Sequence, residues 1–291
     1  MVVLVTGANG QLGQSLQFIA PNYPDLHFVF CSSADLDISN LEHCQAVFSK
    51  IKPNYCINAA AYTAVDKAES ETEKAHLVNV TGAQNLASVC KQYSTVLLHI
   101  STDFVFDGEK KVPYTENDIP NPTGVYGQTK LDGEKAIQAV FENYYIIRTS
   151  WVYSQFGNNF MKTMLRLASE RDSISVVNDQ IGTPTNAIDL ANALVKIIQH
   201  CHTELVEVLK PTTDNYGVYN FSNEGQCSWY DFAKKIFEIN HKNIDLKPIP
   251  TSSFPTPAKR PKYSVLDKTK IKSTFGLEIK NWEDSLKTIS I

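Results

Sequence analysis

The chain has 291 residues, 43% of them hydrophobic and 20% charged, which is enough for one large domain and a smaller one. Its net charge of -4 argues against a general nucleic-acid or membrane-surface binder, so an anionic ligand must be held by local basic groups and helix N-termini. No apolar run has membrane-spanning length and no leader segment precedes the first strand, so we expect a cytoplasmic protein that binds neither nucleic acid nor membranes.

The N-terminus combines a strand, a glycine loop and a helix. Residues 2–5 form a short apolar, β-branched run typical of a strand buried on both faces. In the loop, Gly7 permits a tight turn, Gly10 lets the backbone approach a phosphate, and Gly13 lets helix and strand pack closely. N–H groups at the helix start attract a pyrophosphate. The pattern predicts nucleotide binding, with glycines spaced one residue wider than in the commonest fingerprint.

The second strand, residues 27–30, is followed by Cys31, Ser32 and Ser33 rather than by an acid. In NAD-selective sites an acidic residue usually ends this strand and bonds the ribose 2′-hydroxyl. Its absence leaves room for a 2′-phosphate, yet no arginine stands beside it, so the choice between NADH and NADPH stays open. Asp37 and Ile38 either flank an adenine or form a turn that caps the helix beginning near Asn40.

Two later strands end in small or hydroxyl-bearing residues. The strand at 55–57 runs into Asn58 and three alanines at 59–61, which let a flat cofactor lie against backbone. The strand at 95–100 is followed by Ser101 and Thr102, at the carboxyl edge where ligands of open α/β sheets bind. A hydroxyl at that edge either bonds a carbonyl oxygen or caps a turn.

Tyr126 and Lys130 lie four residues apart at the start of a predicted helix, so their side chains share one face. A nearby cation lowers the pKa of a phenol and makes it a better proton donor near neutral pH. The Tyr-x-x-x-Lys pattern is short, and a tyrosine and a lysine on the surface of an ordinary helix would show the same spacing. Its meaning depends on the rest of the chain.

Several later features have structural interpretations. Strands are predicted at 145–148, 174–177 and 216–222, with helices at 75–93, 161–168 and 187–199 and a further helix capped by Ser228. His200 to His202 read as the end of a helix entering a surface loop at 203–215 rather than as metal ligands. The six cysteines contain no Cys-x-x-Cys pair, so we expect free thiols: Cys31, Cys44, Cys56, Cys90, Cys201 and Cys227.

Taken together, these motifs resemble the extended short-chain dehydrogenase/reductase superfamily. Within it, the chain is similar to the dTDP-4-dehydrorhamnose reductase family over nearly its whole length. The segments that carry this similarity are 58–69, 101–108, 148–153, 157–160, 178–185 and 260–264. The order of elements and this resemblance imply an α/β fold, with a doubly wound parallel Rossmann sheet and a smaller C-terminal α+β substrate domain. The Rossmann domain would comprise 1–150 with 184–223, and the substrate-binding domain 151–183 with 224–291.

The resemblance also implies a reaction and a set of site residues. The C4 ketone of dTDP-4-dehydro-L-rhamnose would be reduced by NADPH or NADH, as a step of dTDP-rhamnose and polysaccharide biosynthesis. Tyr126 would donate the proton, Lys130 would lower the Tyr126 pKa and bond the nicotinamide ribose, and Thr102 would bond the keto oxygen. Cofactor contacts would come from Gly7, Asn9, Gly10, Gln11, Leu12, Ser32, Asp37, Ile38, Ala59, Ala60, Ala61, Tyr62, Tyr126 and Lys130. Substrate contacts would come from Val65, Asp103, Phe104, Trp151, Asn159 and Arg260.

Two positions separate the chain from relatives. Sugar-nucleotide dehydratases carry a glutamate base where this chain has Phe104, and a phenyl ring cannot abstract a proton. Some reductases carry interface glutamates that bind magnesium, one of them just after the third glycine, where this chain has Gln14 and Ser15. We therefore expect no metal, and a monomer or weak homodimer.

Two alternatives to this reductase remain open. One is a non-catalytic regulatory subunit like the beta subunit of methionine adenosyltransferase, and the other is a reductase of another nucleotide-linked 4-keto sugar. Retention of Thr102, Tyr126 and Lys130 favours an enzyme over a non-catalytic regulatory subunit.

Overall fold

A six-stranded parallel sheet forms the centre of the computed structural model, which describes residues 1–206 and 215–289. Its strands are β1 (Val2–Thr6), β2 (His27–Cys31), β3 (Tyr55–Asn58), β4 (Val96–Thr102), β5 (Tyr144–Thr149) and β10 (Gly217–Asn220). Their order is β10-β5-β4-β3-β1-β2, and every neighbouring pair is parallel. The order reverses between β1 and β3, which is where doubly wound sheets bind ligands. The predicted Rossmann sheet is confirmed.

Helices cover both faces of this sheet because successive side chains of a strand point to opposite faces. Along β1, Val3 and Val5 join the core cluster under the first and eighth helices, whereas Leu4 joins the cluster under the second and fifth. The helices are α1 (Gln11–Ile19), α2 (Leu41–Ile51), α3 (Val65–Ala68), α4 (Thr72–His76), α5 (Gly82–Tyr93), α6 (Val125–Val140), α7 (Phe160–Glu170), α8 (Ala187–Val206), α9 (Trp229–Ile239), α10 (Thr269–Phe275) and α11 (Trp282–Lys287).

Short strand pairs and the helices α7, α9 and α11 build a smaller unit beside the sheet. The pairs are β6 (Val152–Tyr153) with β9 (Thr185–Asn186), β8 (Ile181–Gly182) with β11 (Cys227–Ser228), and β7 (Ser173–Val177) with β12 (Asp245–Ile249). Their apolar core includes Phe232 and Trp282, from α9 and α11. Strand β12 was not predicted, because Pro248 and the prolines after it read as a loop. Ser228 caps α9 in a capping box with Asp231, as the sequence predicts for the serine.

One helix crosses the predicted domain division. Ile271 and Phe275 of α10 belong to the core cluster of the central sheet, together with Leu194 of α8. Residues 269–275 therefore pack with the Rossmann sheet, although the sequence division places them in the substrate-binding domain. The remainder of that division stays a prediction.

Two predicted helices differ from the observed ones. The single helix expected at 75–93 is interrupted by a π-helical turn, Leu77–Thr81, which carries the buried Asn79. The Asn79 side chain accepts from Tyr62 N at 2.9 Å and donates to Thr129 Oγ1 at 3.1 Å. It therefore ties α6 to the loop that follows β3, residues 59–62, which we call the alanine loop. Helix α8 continues to Val206, so the prediction that it ends at 199 is wrong, and residues 200–202 lie within it. Most of the loop predicted at 203–215 lies outside the described residues.

The cysteine prediction is confirmed, because all six cysteines lie among the described residues, are buried and form no disulfide. Across the described residues, no helix is both long enough and apolar enough to cross a membrane.

A buried ion pair holds α6 against the sheet. Arg148 Nη2 on β5 lies 2.7 Å from Glu134 Oε2 on α6, and Arg148 Nε donates to Glu134 Oε1 at 3.0 Å. The Ser101 hydroxyl, on β4, also donates to Glu134. The Arg148 side chain is 4% exposed and that of Glu134 is 2% exposed, so each charge is buried and is neutralised by the other.

We therefore expect Glu134→Ala to lower the free energy of unfolding by about 3–5 kcal/mol, because it leaves Arg148 buried without its counter-charge. Urea unfolding followed by circular dichroism measures this change. The matched control is Glu170→Ala on α7, which removes the partner of Arg166 from a pair that is 59% and 49% exposed and should change stability little. Equal effects of the two substitutions would contradict a stabilising role for the buried pair.

Candidate functional site

A cavity of about 1380 Å³ opens at the carboxyl ends of β1, β3, β4 and β5 and extends under the smaller unit. It brings together most of the residues that the sequence predicts for the site. These are Asn9, Gly10, Gln11, Leu12, Ala59, Ala60, Ala61, Val65, Thr102, Asp103, Phe104, Tyr126, Lys130, Trp151 and Arg260. Gly7, Ser32, Asp37, Ile38, Tyr62 and Asn159 are not among the lining residues.

The glycine loop leaves the start of α1 open to a ligand. Gly7 has a φ of +67°, and a Cβ there would stand 2.7 Å from the Ala59 backbone. A Cβ on Gly13 would stand 2.3 Å from the Gly7 carbonyl oxygen, so both positions require glycine. Gly10 is the N-cap of α1 in an extended conformation, and no side chain caps the helix. Exposed backbone and a helix N-terminus with no side chain over it fit the pyrophosphate of a dinucleotide.

The segment after β2 forms a turn. Asp37 Oδ1 accepts from both the N–H and the hydroxyl of Ser39, at 2.9 and 2.7 Å, and Asn40 is the N-cap of α2. Ile38 is buried against Gly82 of α5. The turn interpretation is thus observed, and the cofactor contacts of Asp37 and Ile38 stay a prediction.

Ser32 lies at the end of β2 with an acid against it. The Ser32 N–H and hydroxyl donate to Asp35 Oδ2 at 2.9 and 2.6 Å. The sequence does not place this carboxylate at the strand end, because Asp35 follows β2 by four residues and reaches Ser32 only where the chain turns back. The Tyr62 ring packs in a small cluster with Ala68 and Ala75, against which Tyr126 also packs, and its predicted cofactor contact stays a prediction.

Tyr126 is partly buried at the cavity wall, and its ring packs edge-on against Phe104 with centroids 5.5 Å apart. Burial raises the pKa of Tyr126 to about 12, with a smaller lowering by the Thr102 hydroxyl and a raising by Asp103. The net shift is therefore opposite to the lowering expected from the sequence, because burial has the largest effect on this pKa. At neutral pH the phenol keeps its proton, which is the form a proton donor needs.

Lys130 points its ammonium group at the sheet. Its Nζ donates to the Ile100 carbonyl oxygen at 2.7 Å and lies 3.3 Å from His99 Nε2. Burial lowers the pKa of Lys130 to about 8, while the charge of Glu134 opposes that shift. These contacts hold the Lys130 ammonium group against β4, beside the cavity that Tyr126 also lines.

Thr102 and Asp103 form a hydroxyl–carboxylate pair beside the phenol. Thr102 Oγ1 donates to Asp103 Oδ1 at 3.0 Å and accepts from Phe104 N at 3.2 Å. Asp103 is 2% exposed, and burial raises its pKa to about 6. The hydroxyl has one proton, so it must turn from Asp103 to donate to a bound ketone.

Aromatic side chains and one arginine form the other end of the cavity. Trp151 stacks on Trp229 with ring centroids 3.6 Å apart, and its backbone has a φ of +46°. Arg260 Nη2 lies 2.6 Å from Asp66 Oδ2, and its guanidinium lies 5.9 Å from the Phe104 ring. Arg260, predicted to bind the substrate diphosphate, is thus held at the cavity mouth by a carboxylate.

Asn159 is not among the residues that line the cavity, although Asn158 and Phe160 are, and its predicted substrate contact stays a prediction. Its Oδ1 accepts from Lys162 N at 3.1 Å, which caps α7. Its Nδ2 donates to Gln11 Oε1 at 2.9 Å and to the Ser154 carbonyl oxygen at 2.7 Å. These bonds use the amide to join the glycine loop to the smaller unit.

Several side chains at or behind the site have no role predicted from the sequence. They are Asp35, Asp66, His99, Glu134 and Trp229, whose contacts are described above. Only Glu134 had a usable signal, because it follows Lys130 by four residues and therefore lies on the same face of α6. Within residues 1–206 and 215–289, no three His, Cys, Asp or Glu residues are placed to hold a metal ion.

Known proteins resemble the chain over its full length. The family model described as RmlD substrate binding domain matches residues 1–290. A dTDP-4-dehydrorhamnose reductase of Aggregatibacter actinomycetemcomitans is 42% identical, over 99% of this chain and 97% of the relative. The crystal structure of the enzyme of that name from Clostridium acetobutylicum is 42% identical with a TM-score of 0.91, covering 99% of this chain and 97% of the other.

A second crystal structure contains a cofactor. It is the dTDP-4-dehydrorhamnose reductase of Bacillus anthracis in complex with NADP, which is 40% identical with a TM-score of 0.90 and covers 98% of this chain and 97% of the other. Both the sequence similarity and the structural similarity extend across the sheet and the smaller unit. The chain belongs to the dTDP-4-dehydrorhamnose reductase family.

Proposed function

We propose that this protein reduces the C4 ketone of dTDP-4-dehydro-L-rhamnose to the alcohol of dTDP-L-rhamnose, with NADPH or NADH as hydride donor. The observation that carries the proposal is that one cavity is lined by Thr102, Tyr126 and Lys130 together with residues of the glycine loop and the alanines at 59–61. The names of its relatives support the nucleotide and the sugar. The proposal includes the monomer or weak homodimer and the cytoplasmic location expected from the sequence.

The residues present fit a dinucleotide. The glycine loop leaves the N-terminus of α1 open, and Ala59 to Ala61 present small side chains at the end of β3. When bound, the nicotinamide supplies a hydride to the ketone carbon. The protein must then orient the ketone and neutralise the charge that develops on its oxygen.

The hydroxyls of Thr102 and Tyr126 would perform this task. As the carbonyl carbon gains the hydride, the C=O π electrons move to oxygen, and the Tyr126 O–H transfers its proton to that oxygen. Thr102 donates a hydrogen bond to the same oxygen once its hydroxyl turns from Asp103. The Lys130 ammonium stabilises the phenolate left on Tyr126, which regains its proton from water.

Retention of a complete donor set in an open cavity favours an enzyme over a non-catalytic regulatory subunit. Phe104, which packs against Tyr126, offers no base for removing a proton from the sugar, so elimination by that route is disfavoured. The test supplies the purified protein with the dTDP-keto-sugar and either NADPH or NADH, and follows loss of nicotinamide absorbance. Turnover with at least one cofactor is expected. Its absence with both, together with recovery of a stoichiometric protein partner, would overturn the proposal in favour of a regulatory subunit.

We expect Tyr126→Phe to lower kcat by roughly 10²–10⁴-fold, the range for loss of a general acid. The substitution keeps the ring that packs on Phe104, so the dissociation constant for NADPH should stay near the wild-type value. Steady-state kinetics and fluorescence titration of the cofactor measure the two quantities. Near-normal turnover would remove Tyr126 from the mechanism.

We expect Arg260→Gln to raise KM for the nucleotide sugar by roughly 10- to 100-fold, because a charge-assisted hydrogen bond is worth about 1.5–3 kcal/mol. The KM for the cofactor should not change. Lys259→Gln is the matched control, since this exposed neighbour does not line the cavity. If both variants raise KM equally, the effect comes from general surface charge rather than from a diphosphate contact.

A further inference from the structure

A chain of four buried side chains leads from β1 to the Lys130 ammonium group. Thr6 Oγ1 donates to Asn58 Oδ1 at 2.7 Å, Asn58 Nδ2 lies 2.9 Å from His99 Nδ1, and His99 Nε2 lies 3.3 Å from Lys130 Nζ. These side chains belong to residues that are at most 2% exposed. This series of side chains runs across β1, β3 and β4 to Lys130 on α6. It therefore connects the core of the sheet with the cavity.

The backbone fixes the orientation of the Asn58 amide. Ala60 N–H donates to Asn58 Oδ1 at 3.2 Å, and a backbone N–H can only donate. The oxygen therefore faces Ala60 and Thr6, and the NH₂ group faces His99 Nδ1. Because an NH₂ group of an amide is a donor, His99 Nδ1 must be the acceptor.

This contact sets the tautomer of His99. Burial, and then the charge of Lys130, hold the pKa of His99 well below its usual range, so the imidazole is neutral. A neutral imidazole that accepts at Nδ1 carries its proton on Nε2. The Nε2–H group then points at Lys130 Nζ.

An ammonium group is a poor partner for that N–H. It has three donors and no acceptor, whereas the neutral amine has a lone pair that accepts the Nε2–H. The Ile100 carbonyl oxygen accepts from either form of Lys130. Opposing this preference, Glu134 on α6 favours the ammonium, but its carboxylate is already paired with Arg148.

Other titratable groups face this site from the cavity side. Asp103 and Tyr126 lie there, and both are less readily ionised than usual because burial raises the pKa of each.

We propose that Asn58 and His99 are positioning residues for the reduction. Asn58 orients His99 so that its Nε2–H faces Lys130 Nζ, and this contact makes Lys130 release its proton more readily. The inference rests on the proposed function for its kinetic consequence, although the tautomer itself does not. Lys130 has to be an ammonium to stabilise the Tyr126 phenolate. Turnover should therefore fall as pH rises through the lowered Lys130 pKa of about 8.

The tautomer is tested on the free protein by two-bond ¹H–¹⁵N correlation spectra after labelling with [¹⁵N]histidine. The His99 signal is the one of seven that disappears in His99→Gln. We expect an unprotonated Nδ1 and a protonated Nε2. A proton on Nδ1 would overturn the proposal whether or not the protein is a reductase.

The kinetic consequence is tested by the pH dependence of kcat. In His99→Gln, the amide oxygen can accept from the ammonium, so the alkaline limb should move up by roughly one pH unit. In Asn58→Asp, the carboxylate accepts a hydrogen bond from Nδ1–H, so Nε2 becomes the acceptor and the alkaline limb should move in the same direction.

The matched control is Ile57→Val, which loosens the buried core of β3 next to Asn58 without touching the polar chain. Its alkaline limb should coincide with that of the wild type. An unmoved limb in both test variants, or an equal shift in the control, would overturn the proposal. If the wild type itself has no turnover, the proposed function fails, and the histidine spectrum still decides the tautomer.

Discussion

The close docking of α6 on the sheet is the constraint on which the site depends. A Cβ on Gly127 would stand 2.1 Å from the Phe104 carbonyl oxygen, and one on Gly133 would stand 2.2 Å from the Asn79 carbonyl oxygen. Glycine at both positions lets the helix approach the segment after β4 and the π-helical turn, and the Glu134–Arg148 pair then fixes it there. Because Tyr126 and Lys130 lie on this helix, its docking places both at the carboxyl edge of the sheet.

The same docking determines which protonation states the site holds. Burial disfavours the charged form of any group, so it acts in opposite directions on a phenol and an amine. It raises the pKa of Tyr126 and lowers that of Lys130. A protonated phenol therefore stands near an amine that loses its proton more readily than an exposed lysine. The charge of Lys130 alone would lower the Tyr126 pKa, whereas the cost of removing both groups from water, which residue spacing does not reveal, decides the direction.

Features that depend on adjacent residues were predictable, whereas those that depend on distant partners were not. The glycine loop, the parallel sheet and the Tyr126–Lys130 spacing follow from local periodicity and backbone geometry. The Arg260–Asp66 pair joins residues 194 positions apart, and no local pattern indicates it. Asn159 illustrates the difference, because its sequence context suggests a ligand contact and only the fold reveals that its amide meets Gln11.

That amide contact has a consequence for how the two parts of the molecule act together. Gln11 lies in the first turn of α1, where a pyrophosphate would bind, and its side chain accepts from Asn159 and Ser154 of the smaller unit. Asn159 in turn begins α7, whose residues Thr163 and Met164 line the far end of the cavity. Any movement of the glycine loop on binding a cofactor must either carry this segment with it or break these hydrogen bonds. The wall that would contact the nucleotide sugar is therefore mechanically joined to the loop that would hold the cofactor, although the two are some 150 residues apart in the chain.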